Sequence, residues 1–285
     1  MCKERQDGGG PPLGYGATTS VLPSNGQVLV HETPELVASA LKELREELVR
    51  EPAWAGSPEP TDAFLLMFLR AEVFVTDMAA KRYRHFWEMK VTVFGEENAA
   101  KPLRIEDHTE NMAEQFLSTV PGAKDKEGRQ VVLFRIANRA RKPDPLPDVR
   151  AVWYTLLSVL EEEETQRRGV CIISSLKGVK FSQFDRAYVK LVLGSLQGAL
   201  PIRVGSINMC YPPTFFRLVW AIVHPFMHKR LKQRVRVIAG PDDRILRELD
   251  TVVTADNVPS EPMGGGVALD HDAWVAHRKL ADAGK

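Results

Sequence analysis

From residue 131 onward the chain alternates short β-branched runs with helix-length segments, and this order restricts the fold more than any other feature. Asp125-Lys-Glu-Gly128 reads as a turn into Val131-Val-Leu-Phe-Arg-Ile136, a run of strand length. A helical stretch from about Asp148 to Arg167 follows, then a strand from Gly169 to Ser174, a helix over about Phe184 to Gln197, and a strand from Val204 to Cys210. Val235 to Ala239 reads as one further short strand. Strands separated by helices need crossover connections, which predicts an α/β fold with a mixed, largely parallel sheet.

The preceding part is helical. Thr33 is a candidate N-cap with Pro34 at the first helical position, and Leu36, Val37, Ala40, Leu41, Leu44 and Leu48 recur at helical spacing to about Arg50. Pro52, Gly56, Pro58 and Pro60 break this helix; Phe64 through Ala71 is nearly all apolar and suits burial. A third helix begins near Asp77, carries Ala79, Tyr83, Phe86 and Trp87, and ends before Gly95. The expected organisation is a disordered tail at 1–32, a helical lobe at 33–98, the α/β domain at 107–268 and a C-terminal tail at 269–285. Gly8-Gly9-Gly10-Pro11-Pro12 carries the tail reading.

Between Thr214 and Val223 the chain places Phe216, Val219, Trp220 and Val223 on one helical stripe. Lys229, Arg230, Lys232, Arg234 and Arg236 follow directly. An aromatic stripe alone is ordinary core, and a basic run alone is a solvated face. Side by side they suggest a greasy cover next to a patch that docks on an anionic surface.

Composition removes several alternatives. A formal charge of +1, from 38 basic and 37 acidic residues, argues against wholesale nucleic-acid binding. Cys2, Cys171 and Cys210 are too scattered for a disulfide framework or thiolate metal site, which fits a reducing compartment. No run reaches the roughly 18 apolar residues of a membrane span, no signal-peptide core is present, and residue 2 is not the glycine of a myristoylation site. His224 and His228 have zinc-chelating spacing, but Pro225 disturbs that helix and no third ligand is evident, so no metal is expected. Gly264-Gly265-Gly266 lacks the Lys and Ser/Thr of a phosphate loop, and no Gly-x-Ser-x-Gly elbow exists. Asp242 and Asp243 read as a helix start, Glu161 to Glu164 as a solvated helix end, and Cys171 as an apolar filler. No catalytic residues and no cofactor are expected.

Phe68-Leu-Arg-Ala71 with Phe74 and Asp77, Glu163-Glu-Thr-Gln166 with Gly169, Cys171-Ile-Ile173, Lys177-Gly178, Pro225-Phe226 with its basic sequel, Gly240, and Val258-Pro-Ser-Glu261 with Gly264-Gly265 occur in a specific order. That series resembles the CRAL-TRIO lipid carriers, particularly those for retinaldehyde and tocopherol, over roughly residues 60 to 268. The resemblance implies an N-terminal helical lobe and a lipid-binding domain that encloses one hydrophobic ligand under a mobile helix, without catalysis. Carried over by position, the mobile helix presents Phe216, Val219, Trp220 and Val223. The pocket wall includes Trp153, Leu156, Ser174, Phe181, Val192, Leu196, Ile202, Val204 and Ile207. Arg203, Arg230 and Arg234 match residues that grip phosphoinositide headgroups, and Lys232 lies between the last two. A fourth position of that grip corresponds to Glu72, which reverses the charge and leaves headgroup choice open. The pocket differs from the tocopherol carrier's at Ser174 and Leu156, so tocopherol is not carried over as the ligand.

The expected function is a monomeric cytoplasmic carrier that binds one retinoid-, tocopherol- or phosphoinositide-like lipid in a closed apolar cavity. It would move that lipid between membranes with reversible peripheral association. A lipid-gated module that recruits a protein partner is the alternative, and an enzyme is the third reading.

Overall fold

The computed structural model describes residues 19–21, 27–141 and 143–284. Three helices build the N-terminal lobe: Pro34–Arg50, Asp62–Ala71 and Thr76–Phe94. Thr33 caps the first, its Oγ1 accepting from the Leu36 amide at 3.2 Å, and Thr61 caps the second in the same way. The lobe closes on an aromatic cluster in which Phe64, Phe68, Tyr83 and Phe86 meet edge to face, Phe68 and Phe86 with centroids 5.5 Å apart.

Two strands, β1 (Thr19–Val21) and β2 (Val28–Val30), pair antiparallel ahead of the lobe. The main sheet runs in the order β3 (Leu117–Lys124), β4 (Gln130–Arg135), β5 (Val170–Ser175), β6 (Val204–Cys210) and β7 (Val235–Ile238). β3 pairs antiparallel with β4, and every later pair is parallel. This is the α/β architecture expected from the alternation of strands and helices.

Side chains alternate across the sheet, so it divides two apolar layers. Val132, Phe134, Val170, Ile172, Val204 and Ile207 face the larger layer, continuous with the lobe and with the helix Leu146–Val159. Val131, Leu133, Cys171, Ile173, Cys210 and Ile238 face the smaller one, closed by Ile245, Leu249, Val253, Val258 and Met263. In β6 both Val204 and Ile207 reach the larger layer because the register slips between the pairs Val170 with Val204 and Cys171 with Ser206. The residue skipped there is Gly205, where a Cβ would stand 2.3 Å from the Arg129 side chain, so any larger residue requires that buried arginine to shift.

Four expectations are corrected. β3 precedes the strand at which the sheet was expected to begin; its Pro121-Gly122 disguised it, and the pairing with β4 is irregular between Thr119 and Lys124. The helix expected from about 148 to 167 is two, Leu146–Val159 and Glu163–Arg168. The 1–32 tail is too long: Gln27 and β2 belong to the fold, and Glu32 accepts from Arg70 and Arg167. Residues 1–18 and 22–26, including the glycine-proline run, lie outside the described residues. The 269–285 tail contains the helix His271–Asp282, held to the body by polar contacts that hydrophobic periodicity does not register. Asp282 accepts from the Ile105 amide at 2.9 Å, the Tyr154 hydroxyl at 2.6 Å and Arg278 at 2.8 Å, and Arg278 also donates to Glu161.

Candidate functional site: an apolar cavity beneath a surface helix

A cavity of about 220 Å³ opens on the larger apolar layer, where the sheet is covered by the helix Arg186–Gly194 and the helix Phe216–Val223. Its floor comes from alternate residues of four adjacent parallel strands: Phe134 on β4, Ile172 and Ser174 on β5, Ile207 and Met209 on β6, and Val235 on β7. Tyr188, Val192 and Leu196, spaced by four, form one wall with Val189 and Leu193. Phe216, Val219, Trp220 and Val223 form the roof, as their i, i+3, i+4, i+7 spacing requires.

The roof helix is a surface element, with none of its residues in the buried class. Its Phe216 and Trp220 rings stack at 5.7 Å, while Leu218 on another face is 56% exposed. Its exposed side thus combines Leu218 with Arg217 and Ala221, an amphipathic outer face rather than a wholly charged one. Tyr211 holds the entry to the helix in a left-handed conformation (φ +57°), its amide bonded to the Ile238 carbonyl at 3.1 Å. At the exit, Gln197 donates to the Phe226 carbonyl at 3.0 Å and accepts from the His228 amide, fastening the turn to the body. These two bonds are worth about 1–2 kcal/mol together. Gln197→Ala is therefore expected to speed amide hydrogen exchange across 216–226 by about tenfold; unchanged protection there would show that other contacts hold the turn.

One end of the cavity is polar. Arg139 ion-pairs with buried Asp148 at 2.7 Å and lies 3.8 Å from the centre of the Tyr188 ring. Burial raises the Tyr188 hydroxyl well above its ordinary pKa and keeps it neutral, and that hydroxyl has no hydrogen-bond partner among the described residues. A buried hydroxyl left in this state costs about 1–3 kcal/mol.

Ser174, Val192, Leu196 and Ile207 line the cavity together with the four roof residues. Trp153, Leu156, Phe181, Ile202 and Val204, expected in the wall, do not line it. Trp153 turns toward the lobe, packing on Phe86 at 5.3 Å and Phe94 at 6.0 Å while its indole N–H donates to Ser195 at 2.7 Å. Leu156, Ile202 and Val204 are consumed by the same solid core. Phe181 is 49% exposed and stands outside, edge-on to Phe215 at 5.4 Å. Phe134, Ile172, Met209, Phe215 and Tyr188 are lining residues that sequence reasoning missed, although the period of two in β5 and β6 pairs Ile172 with Ser174 and Ile207 with Met209.

The basic residues form two groups. Lys229 and Arg230 are exposed and Lys232 partly so, on the short helix Lys229–Lys232. Arg203 and Arg234 are instead tied to backbone: Arg203 donates to the Arg167 carbonyl at 2.6 Å and to the Val28 carbonyl, and Arg234 donates to the Val204 carbonyl. Burial first, then repulsion among Arg203, Arg230 and Arg234, lowers the pKa of Arg203 and Arg234 to about 10. All three thus concentrate positive charge at one place. Glu72 offsets Arg203 from nearby and pairs with Arg82. No metal-binding cluster occurs among the described residues, and no described helix is long and apolar enough to cross a membrane.

Comparison with known proteins agrees with this geometry. Residues 113–265 match the CRAL/TRIO domain. The alpha-tocopherol transfer protein-like protein of Homo sapiens is 30% identical over 270 residues, covering 93% of this chain and 76% of that protein. The Mus musculus protein of the same name is 29% identical over the same length and shares. Among solved structures, Sfh5 superposes with a TM-score of 0.52 at 11% identity, covering 88% of this chain and 99% of that one, a likeness of fold alone. With its domain match, its relatives and its sheet in accord, the chain belongs to the CRAL/TRIO family, known for lipid binding and transfer.

Proposed function

We propose that the protein is a cytoplasmic, monomeric carrier that takes one hydrophobic lipid into the cavity beneath Phe216–Val223 and delivers it between membranes. The observation that carries this reading is the cavity's position: apolar walls lie directly under a helix that is itself at the surface and exposes Leu218 on its outer side. Each methylene removed from water contributes about 0.8 kcal/mol, which is the driving force for loading. Pockets for drug-sized ligands span roughly 300–1,000 Å³. A space of about 220 Å³ must enlarge to take a retinoid- or tocopherol-sized guest. Outward movement of the roof helix enlarges it without disturbing the sheet. The unpartnered Tyr188 hydroxyl, beside Arg139, favours a guest with one hydroxyl or carbonyl at its polar end.

A membrane shifts the open and closed populations only by binding the open state better. Lys229, Arg230 and Lys232, close in sequence after the roof helix, supply about 1 kcal/mol each against an anionic leaflet, phosphoinositide included. About 3 kcal/mol in all is a factor of about a hundred in that equilibrium. Leu218, exposed on the roof helix, would enter the acyl boundary.

The test is transfer of a fluorescent lipid between vesicles. Arg230→Glu with Lys232→Glu is expected to slow transfer to phosphatidylserine vesicles at least tenfold, and to leave retention in the absence of membranes unchanged. Undiminished transfer would contradict membrane docking through this patch. Retention without any acceleration of exchange by the wild type would point to a lipid-gated adaptor that recruits a protein partner.

A further inference from the structure

A second concavity, of about 450 Å³, lies on the other side of the larger apolar layer, between the N-terminal lobe and the helix Leu146–Val159. Phe64, Met67, Phe86, Leu103 and Leu157 line it, and Lys90 reaches it from the helix Thr76–Phe94. It shares no lining residue with the cavity beneath Phe216–Val223.

Lys90 is the anomaly. It is only 7% exposed, yet has no ion-pair partner among the described residues. Its ammonium has three donors, and one meets the Lys101 carbonyl at 3.3 Å. The rest of its surroundings is aromatic, with the Trp87 ring at 5.0 Å and the Phe86 ring at 5.8 Å. Burial alone lowers its pKa to about 8, which leaves it mainly charged at neutral pH. A buried cation without a counter-ion is costly, and any ligand that brings an anion recovers part of that cost.

We propose that this groove is a second ligand site for a fatty-acid-like molecule, its carboxylate paired with Lys90 and its chain lying along the apolar walls. One ammonium acts as a single point charge, which matches a monoanion better than a phosphate dianion. The other charged groups on the wall support this choice: Arg278 is committed to Glu161 at 2.6 Å and to Asp282 at 2.8 Å, and Glu161 would repel additional negative charge. The volume falls within the roughly 300–1,000 Å³ of small-molecule sites, and Phe64, Met67, Leu103 and Leu157 are only partly buried, so entry needs no rearrangement of the roof helix. This site stands whether or not the first cavity carries a lipid.

The experiment is calorimetric titration of the full chain with decanoate and, separately, with 1-decanol. The wild type is expected to bind decanoate at least tenfold more tightly than the alcohol. Lys90→Met should erase that preference and fold as well as the wild type, because it removes an unpaired buried charge. Val192→Trp, which fills the other cavity, should leave the preference intact. A wild type that does not prefer decanoate, a Lys90→Met protein that still does, or loss of decanoate binding in Val192→Trp overturns the proposal. If Lys90→Met does not fold, Leu157→Trp, which narrows the groove and keeps the lysine, must weaken both ligands; unchanged binding overturns it equally.

Discussion

Asp148→Ala is expected to cost about 3–5 kcal/mol and to lower the melting temperature by on the order of 10 °C, read by thermal or denaturant unfolding. Asp148 is fully buried, accepts from Asn111 at 2.6 Å and from Arg139 at 2.7 Å, and so neutralises a guanidinium that is itself only 2% exposed. Removing the carboxylate leaves Arg139 with Asp185 at 3.6 Å as its remaining ion pair among the described residues. The double substitution Asp148→Leu with Arg139→Met removes both charges and should recover most of the loss, since a buried pair exchanged for apolar groups is often neutral. A double variant as unstable as Asp148→Ala would show that the shape of the network, rather than the uncompensated charge, sets the cost. The consequence for function is local: Arg139 supports Tyr188, the polar end of the cavity, so Asp148→Ala should also weaken retention of the lipid in whatever fraction stays folded.

Val192→Trp carries the second large effect. Val192 projects from the wall into a space of about 220 Å³, and an indole there occupies volume that the lipid would otherwise take. Excluding three or four methylenes forfeits about 3 kcal/mol, close to a hundredfold in affinity. Because the side chain is only partly buried and grows into a void, the fold should tolerate the change better than an overpacked core position would. Fluorescent-lipid titration reads the outcome. Wild-type affinity in a folded Val192→Trp protein would place the lipid elsewhere.

The fold was legible in the sequence where one period dominates. The helix Pro34–Arg50 announces itself by the Thr33 cap and its leucine stripe, and β4, β5 and β6 by β-branched runs between helices. β3 escaped because Pro121-Gly122 imitates a turn inside a strand. The terminal helix escaped because its inward face pairs Trp274 with Arg278 and Asp282, two charged residues that read as solvated until Glu161 and Tyr154 are brought to them. The roof residues were legible for the same reason as the first helix. The floor and wall were harder: whether an apolar residue such as Trp153 or Val204 lines a void or fills a core depends on what lies opposite it. That information comes from packing between distant segments, here the lobe residues Phe86 and Phe94 against Trp153. Likewise a row of basic residues does not reveal that Arg203 and Arg234 are spent on carbonyls while Lys229 and Arg230 remain exposed.

Organic extraction of the purified protein followed by mass spectrometry tests the central claim most directly. The account predicts a hydrophobic molecule with a single polar end in the wild-type extract that is missing from folded Val192→Trp, whereas any fatty acid held by the Lys90 groove is recovered from both. Extracts empty of lipid even after incubation with cell membranes, or every lipid of the wild type recovered in equal amount from Val192→Trp, would contradict it.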